Sequence, residues 1–279
     1  MLILGRSIHY TRLLAVAGLA PSTFHYNLKV LARPDKHAEL RKRIIGIYEE
    51  SRRNYGYRRI TAMLRREGRV VNHKLVLKIM REENIQAKGR RRSRYTSYKG
   101  AVGRIASNIL DRNFKQDAPN QAWVSDVTEF RTCEGKIYLS AILDLYDHMI
   151  VGYAIGSSPT VEFTIESLSK ALDQYQPEPG IIVHTDQGFQ YQNPRWQEAL
   201  KMAGARQSMS RKGNCYDNAV MENAFGHIKV EMYHGETYET KAKLVNALED
   251  YIQWHNTERI QIGLKGLAPT EYRNQTLAA

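Results

Sequence analysis

Apolar positions recur with helical spacing through the first third of the chain, then with strand-like alternation and short buried runs, so helical segments are expected to precede an α/β layer fold. The pattern predicts a short apolar helix over residues 10–17, stopped by Gly18, and a second helix capped by Ser22. That pair fits a helix-turn-helix and equally a small packed hairpin. Between residues 37 and 83, Ile44, Ile47 and Tyr48 mark one helix face and Ile60, Met63 and Leu64 another. Asn72 caps a third helix over 73–83, in which Leu75, Val76, Ile79 and Met80 face inward and Lys74, Lys78 and Arg81 outward.

Past about residue 120 the reading changes to strands over 122–131, 136–146 and 148–156, separated by CEG and by a turn at Asp147, which predicts a three-strand meander. A helix over 161–175 follows, and PEPG breaks the chain before the short buried strand IIVHTD. A helix over 194–203, a strand over 206–209, a long helix from 217 to about 233 and a last one over 241–255 complete the layer.

Composition narrows the class. With 279 residues, 42% hydrophobic and 25% charged, the chain is ordinary globular material with room for about two domains. Its longest apolar runs, LLAVAGLA and SAILDLY, fall far short of the roughly 20 residues that span a bilayer, so no membrane partner is expected. The start, MLILGRSIHYTRLL, is too polar for a secretory signal, which makes the cytoplasm the expected compartment. Cys133 and Cys215 show neither CxxC nor paired His spacing and read as reduced thiols.

Charge is more informative in its placement than in its sum. Between Arg41 and Arg104 stand 20 Lys or Arg against five Glu, a local charge of +15 in a chain of +12, so all other residues together carry −3. Such a block attracts polyanions through counterion release. In YGYRRITAMLRREG, Gly56 permits a sharp entry and Arg58, Arg59, Arg65 and Arg66 decorate one helix. The three helices read as a DNA-binding fold, with a basic helix of no nucleic-acid role as the plainer alternative. Arg90, Arg91 and Arg92 in RRRSRY suit phosphate contacts from a flexible arm, and the same composition suits a solubilising linker. The expected organisation is a helical hairpin at 1–35, a helical DNA-binding domain at 36–86, a basic linker at 87–118 and an α/β core with C-terminal helices at 119–279.

Three carboxylates carry the candidate chemistry. Asp126 lies mid-strand in WVSDVTEF, Asp186 at a strand end in IIVHTDQGFQY, and Glu222 on a helix in NCYDNAVMENAFGHIKVE, with 35 residues between the last two. Two neighbouring strands can bring the aspartates to one sheet edge. At about 100° per residue, Asn218, Glu222 and Lys229 share one helix face, opposite the apolar stripe of Val220, Met221, Ala224, Phe225 and Ile228. Hard oxygen donors of this kind suit Mg²⁺ or Mn²⁺. Each acid alone is more simply a turn or surface residue. His184, on the same strand as Asp186, is a candidate proton-transfer group or a packed histidine, and Ser210, Arg211, Lys212 and Asn214 form a polar loop suited to holding a DNA strand.

YGYRRI, WVSDVTEF, HTDQGFQY, SMSRKGNCYDNAVMENAFGHIK and NTERIQIGLKGLAPTEYR, in this order, closely resemble the second-frame transposases of bacterial insertion sequences, DDE enzymes with a catalytic core similar to retroviral integrases. The resemblance covers nearly the whole chain. It implies a ribonuclease-H-like core, with Asp126, Asp186 and Glu222 as catalytic metal ligands and Lys229 as a contact to element-end DNA. Ala224, His227 and residues 260–262 depart from residues common in that family. Two ions about 3.5 to 4 Å apart would activate water, or later a 3′-hydroxyl, for in-line attack on a phosphodiester. The resemblance further implies insertion-sequence ends and target DNA as partners, a homo-oligomer in the synaptic complex, and the upstream-frame protein of the same element as a further partner. A DNA-binding regulator, using only residues 1–104, and a structure-selective nuclease of the same fold are the competing classes.

Overall fold

Five strands, β1 (Ala122–Thr132), β2 (Gly135–Asp144), β3 (Ile150–Gly156), β4 (Ile182–Thr185) and β5 (Arg206–Met209), form one mixed sheet in the order β3-β2-β1-β4-β5. The computed structural model describes residues 10–89, 105–212 and 214–278. β1, β2 and β3 make the predicted antiparallel meander, while β4 and β5 add to β1 in parallel. Parallel strands need crossover connections, and two helices supply them. They are α6 (Val161–Tyr175), capped by Thr160 through Phe163 N–H, and α7 (Pro194–Met202), capped by Asn193 through Arg195 N–H. This is the mixed five-stranded sheet with flanking helices expected of a ribonuclease-H-like core.

The core lies where the helices meet the sheet, around Trp123, Ile142, Val151, Leu168, Val183, Tyr191, Trp196 and Met209. Gly152 lets α6 sit directly on β3: an added Cβ would stand 2.4 Å from the Ser167 carbonyl oxygen and 2.7 Å from the Ala171 Cβ. Ser140 and Ser167 share a 2.8 Å hydrogen bond across the same contact. Gly152→Val is therefore expected to lower stability by about 1–3 kcal/mol, the usual cost of overpacking, read as a lower urea midpoint. An unchanged midpoint would show that α6 can withdraw freely.

Two compact units divide the chain, Met1–Gly46 and Ile47–Ala279. In the first, α1 (Tyr10–Val16) and α2 (Pro21–Leu31) turn at Gly18, whose φ is +64°. Ser22 does not cap α2. Ala20 occupies the N-cap and Pro21 opens the helix with its fixed φ, leaving Ser22 inside the first turn. The division falls within α3 (Ala38–Glu50), so α4 (Tyr57–Arg66) and α5 (His73–Glu82) belong to the same unit as the sheet. Asn72 caps α5 as expected, its Oδ1 accepting from Lys74 N–H at 2.9 Å.

Three further elements differ from the sequence reading. β3 starts at Ile150 because the Asp147 side chain accepts from Met149 N–H and holds His148 in a turn at φ +59°. The long helix expected from 217 is three pieces: a 3₁₀ turn (Cys215–Asn218), α8 (Ala219–Ile228) and a π-helical turn (Lys229–Tyr233). After α9 (Lys241–Thr257) comes an unforeseen helix, α10 (Pro269–Leu277), opened by Pro269 and by Glu271 accepting from Ala268 N–H. It delivers Arg273 into a buried ionic cluster with Asp144 and Asp147. Among the described residues no helix is long and apolar enough to cross a membrane.

Candidate active site

The β1–β4 register sets the two aspartates side by side. Its last pair is Ser125 with Thr185, so Asp126 and Asp186 are the next residues on adjacent parallel strands, whose spacing is about 4.8 Å. Asp126 Oδ1 accepts from Val127 N–H at 2.7 Å, and its Oδ2 from Asn218 Nδ2 at 3.2 Å. Asp186 Oδ1 accepts from Gly188 N–H at 2.8 Å. Gly188 is tightly enclosed, since a Cβ there would lie 2.9 Å from both Asp186 Oδ1 and Gln190 Oε1.

Glu222 stands in the first turn of α8. One 3₁₀ turn earlier Asn218 binds Asp126, and its Oδ1 is buried without a hydrogen-bond partner. Lys229 follows at the end of α8, half-buried, with Nζ 5.6 Å from the centre of the Phe130 ring on β1. There the backbone turns π-helical, His234 N–H reaching the Lys229 carbonyl at 2.7 Å. Single π turns re-aim side chains and are frequent at functional sites.

Electrostatics ties these groups together. Burial, the Asp186 charge and the Glu222 charge push the Asp126 carboxyl well above its ordinary range, against the Val127 N–H and the Lys229 ammonium. Asp186 is raised by burial and steadied by Gly188 N–H. Lys229 is lowered by burial, against the pull of Asp126 and Glu129. Beneath them the buried Tyr191 hydroxyl, 3.3 Å from Ser125 Oγ, is held protonated by burial and by both aspartates. The arrangement concentrates negative charge at the C-terminal end of β4, beside the middle of β1. Among the described residues, no three His, Cys, Asp or Glu side chains are drawn into a ready coordination shell.

Two supporting clusters were not foreseen. Asp217, fully buried, accepts from Arg211 N–H at 3.0 Å, from the Arg211 guanidinium twice at 2.8 Å, from Arg112 at 2.8 Å and from Asn108 at 3.1 Å. It ties the loop before α8 to the segment entering β1. Glu231, in the π turn, receives Arg259 in a fork of 2.6 and 2.7 Å and the Tyr251 hydroxyl at 2.8 Å. A sequence signal existed for Glu231 alone: it continues the apolar stripe of Met221, Phe225 and Ile228, where a charge must be paired if buried. Asp217 carries no comparable signal.

The other named residues scatter. His184 is buried, bonded to Ser208 and Ser210 at 2.8 and 3.0 Å, and burial lowers it to about 4. Arg211 spends its guanidinium on Asp217, whereas Lys212 is exposed. Arg59 lies over the Tyr55 ring and 3.4 Å from Glu231, while Arg58 is exposed. Lys74, Lys78 and Arg81 face outward on α5, Lys78 being 3.8 Å from Glu82. Arg90, Arg91 and Arg92 lie outside the described residues.

Comparison with known proteins adds independent findings. Two integrase core domain models match residues 116–215 and 222–277, and an HTH-like domain model matches 35–93. The chain is 44% identical over 264 residues to the putative transposase InsK for insertion sequence element IS150 of Escherichia coli, covering 95% of this chain and 93% of that one. It is 36% identical over 235 residues to the transposase for insertion sequence element IS904 of Lactococcus lactis, covering 84% of this chain and 92% of that one. Among solved structures, the HTLV-2 integrase catalytic core domain in complex with magnesium aligns with a TM-score of 0.44 at 16% identity, over 56% of this chain and 98% of that one.

Proposed function

We propose, from the premise that this chain belongs to the family of insertion-sequence transposases with an integrase core domain, that Asp126, Asp186 and Glu222 are the catalytic residues of its DNA transposition reaction. The observation that carries the assignment is the register: Asp126 and Asp186 follow the last paired residues of two adjacent parallel strands, and Glu222 lies within electrostatic reach of Asp126. The donor set fits a hard divalent cation. Two aspartates whose ionisation is opposed by burial call for positive charge, and the unpartnered Asn218 Oδ1 adds an unused acceptor beside them.

Asp126, Asp186 and Glu222 would hold Mg²⁺ or Mn²⁺, two ions in all. Bound there, such ions supply Lewis-acid stabilisation to the oxygens of a phosphodiester under in-line attack. The protein's own contribution is positioning. Asn218 and Val127 N–H fix the two oxygens of Asp126, and Gly188 N–H fixes Asp186 in a turn with no room for a side chain. Lys229, beside the Phe130 ring and within electrostatic reach of Asp126, would meet a phosphate of the element end. The Asp217 clamp holds the loop of Ser210, Arg211 and Lys212 on which the strand would lie.

Residues 119–279 would then be the catalytic core, with 1–35 as a helical hairpin, 36–86 as the helical DNA-binding domain and 87–118 as the basic linker. Lys74, Lys78, Arg81, Arg90, Arg91 and Arg92 would serve DNA binding, in a homo-oligomeric synaptic complex that acts in the cytoplasm and engages the upstream-frame protein. Purified protein incubated with labelled element-end DNA and Mg²⁺ tests the reading. Strand-joined product is expected; hydrolysis alone would mark a nuclease, and binding alone a regulator.

A further inference from the structure

A cavity of about 540 Å³ opens on the far side of the helix that carries Glu222. His227 and Glu231 line it, four residues apart, whereas Glu222 and Lys229 look the other way; at about 100° per residue the two pairs fall on opposed faces. The cavity is therefore a different place from the acidic centre, separated from it by about 10 Å across the helix and about 7–13 Å along it, roughly 12–17 Å in all.

Its walls are built for an anion. The first turn of α4 forms one side, and its N-cap is Gly56, which offers that turn no side-chain hydrogen bond. Helix starts left open in this way attract phosphate through their N–H groups and dipole. Arg58, Arg59 and Lys88 add three positive charges. Glu231, the acid in the wall, is matched first by the Arg259 fork and shares Arg59 at 3.4 Å, so Arg58 and Lys88 keep their charge for a ligand. Arg58 is pre-set: its Nε donates to the Tyr57 hydroxyl at 3.1 Å and its guanidinium lies 5.6 Å from the centre of that ring. Lys88 is similarly anchored, Nζ donating to the Glu231 carbonyl at 3.3 Å. Asn54, also in the wall and 5% exposed, is buried with neither its amide nitrogen nor its oxygen hydrogen-bonded. Buried polar groups are rarely left so, and a wall that keeps one is suited to receive a polar ligand.

We infer that this cavity grips one backbone phosphodiester of the bound DNA, through Arg58, Lys88 and the open start of α4. The inference deepens the transposase reading, because it places a second hold on the strand roughly 12–17 Å from the reacting linkage. At about 3.4 Å of rise per nucleotide, that distance is roughly four to five nucleotides along a strand. The volume admits the attached sugar as well as the phosphate.

The test is interference by neutral linkages. A series of element-end duplexes, each with one methylphosphonate, is titrated against the full chain and its Arg58→Met and Lys88→Met variants at several salt concentrations. Both substituted side chains are exposed, so the variants keep the fold. The wild type is expected to lose on the order of tenfold affinity at one or two linkages outside the scissile one. Each variant should lose similar affinity for unmodified DNA, show a salt slope shallower by about one, and be indifferent to those linkages. Equal losses at every linkage, or variants with unchanged salt slope, overturn the inference. So does wild-type binding of inorganic phosphate that competes poorly with DNA and leaves the linkage pattern intact, which would make the cavity a small-anion site. Strand joining is scored in the same samples: a linkage pattern without joined product would refute the transposase reading while leaving the phosphate site standing.

Discussion

Asp126→Asn, Asp186→Asn and Glu222→Gln are each expected to abolish cleavage and strand joining while leaving binding to element-end DNA intact. The replacements preserve shape and remove only the charge. Loss of an outer partner of a metal ligand commonly costs about 10- to 100-fold, so loss of a ligand itself should exceed 100-fold. Binding should survive because the positive field lies elsewhere, in the basic residues between Arg41 and Arg104. Nor should folding suffer. Burial and two neighbouring acids already oppose the charge on Asp126, so an uncharged isostere relieves a repulsion in metal-free protein. A site kept at a cost to stability is what catalysis requires. Gel-resolved joining assays, paired with binding and thermal melts, check all three parts. Near-normal joining by any one variant would remove that residue from the catalytic set.

The fold was legible wherever local chemistry decides an element. α6 begins and ends at the predicted residues because Thr160 caps it and Leu168 and Ala171 repeat at helical spacing. β5 is likewise as read. The places of Asp126 in a strand, Asp186 at a strand end and Glu222 on a helix were legible too, whereas the parallel pairing of β1 with β4 that sets the aspartates side by side is a long-range fact. What escaped depends on partners far away in sequence. Nothing local tells that Arg59 will lie 3.4 Å from Glu231, 172 positions on, or that Arg211 will turn its fork back to Asp217 rather than outward. A basic residue reads as a candidate DNA contact until its acid is found. α10 had local signals, Pro269 and Glu271, but too little amphipathic contrast to display a buried face. The π turn is a different matter. It coincides with the buried Glu231–Arg259 pair, and so with a contact invisible to periodicity.

That pair supports the second large effect. Glu231 and Arg259 are 5% and 1% exposed, and replacing Arg259 with Met would leave a carboxylate buried beside Tyr251 with the single longer contact of Arg59, at 3.4 Å, in place of the Arg259 fork. Breaking a buried pair from one side typically costs about 3–5 kcal/mol, whereas replacing both partners with apolar groups is often neutral. Arg259→Met is thus expected to melt far below wild type, and Arg259→Met with Glu231→Met to recover most of the loss. The acid limb gives an independent signature. Burial acts to raise Glu231, but Arg259, Arg59 and the Tyr251 hydroxyl outweigh it and hold the group down at about 2. A depressed carboxylate contributes stability that is fully present above its unfolded value of 4.5 and is lost as pH falls toward 2. Without Arg259 the largest counterweight to burial is gone, and the single variant should lose less stability than wild type as pH falls through that window. Lys229 stands two residues before Glu231 at the start of the same π turn, so the double variant separates support from charge. If it refolds yet joins strands slowly at saturating DNA, the pair positions Lys229. If it joins at the wild-type rate, the pair is structural only.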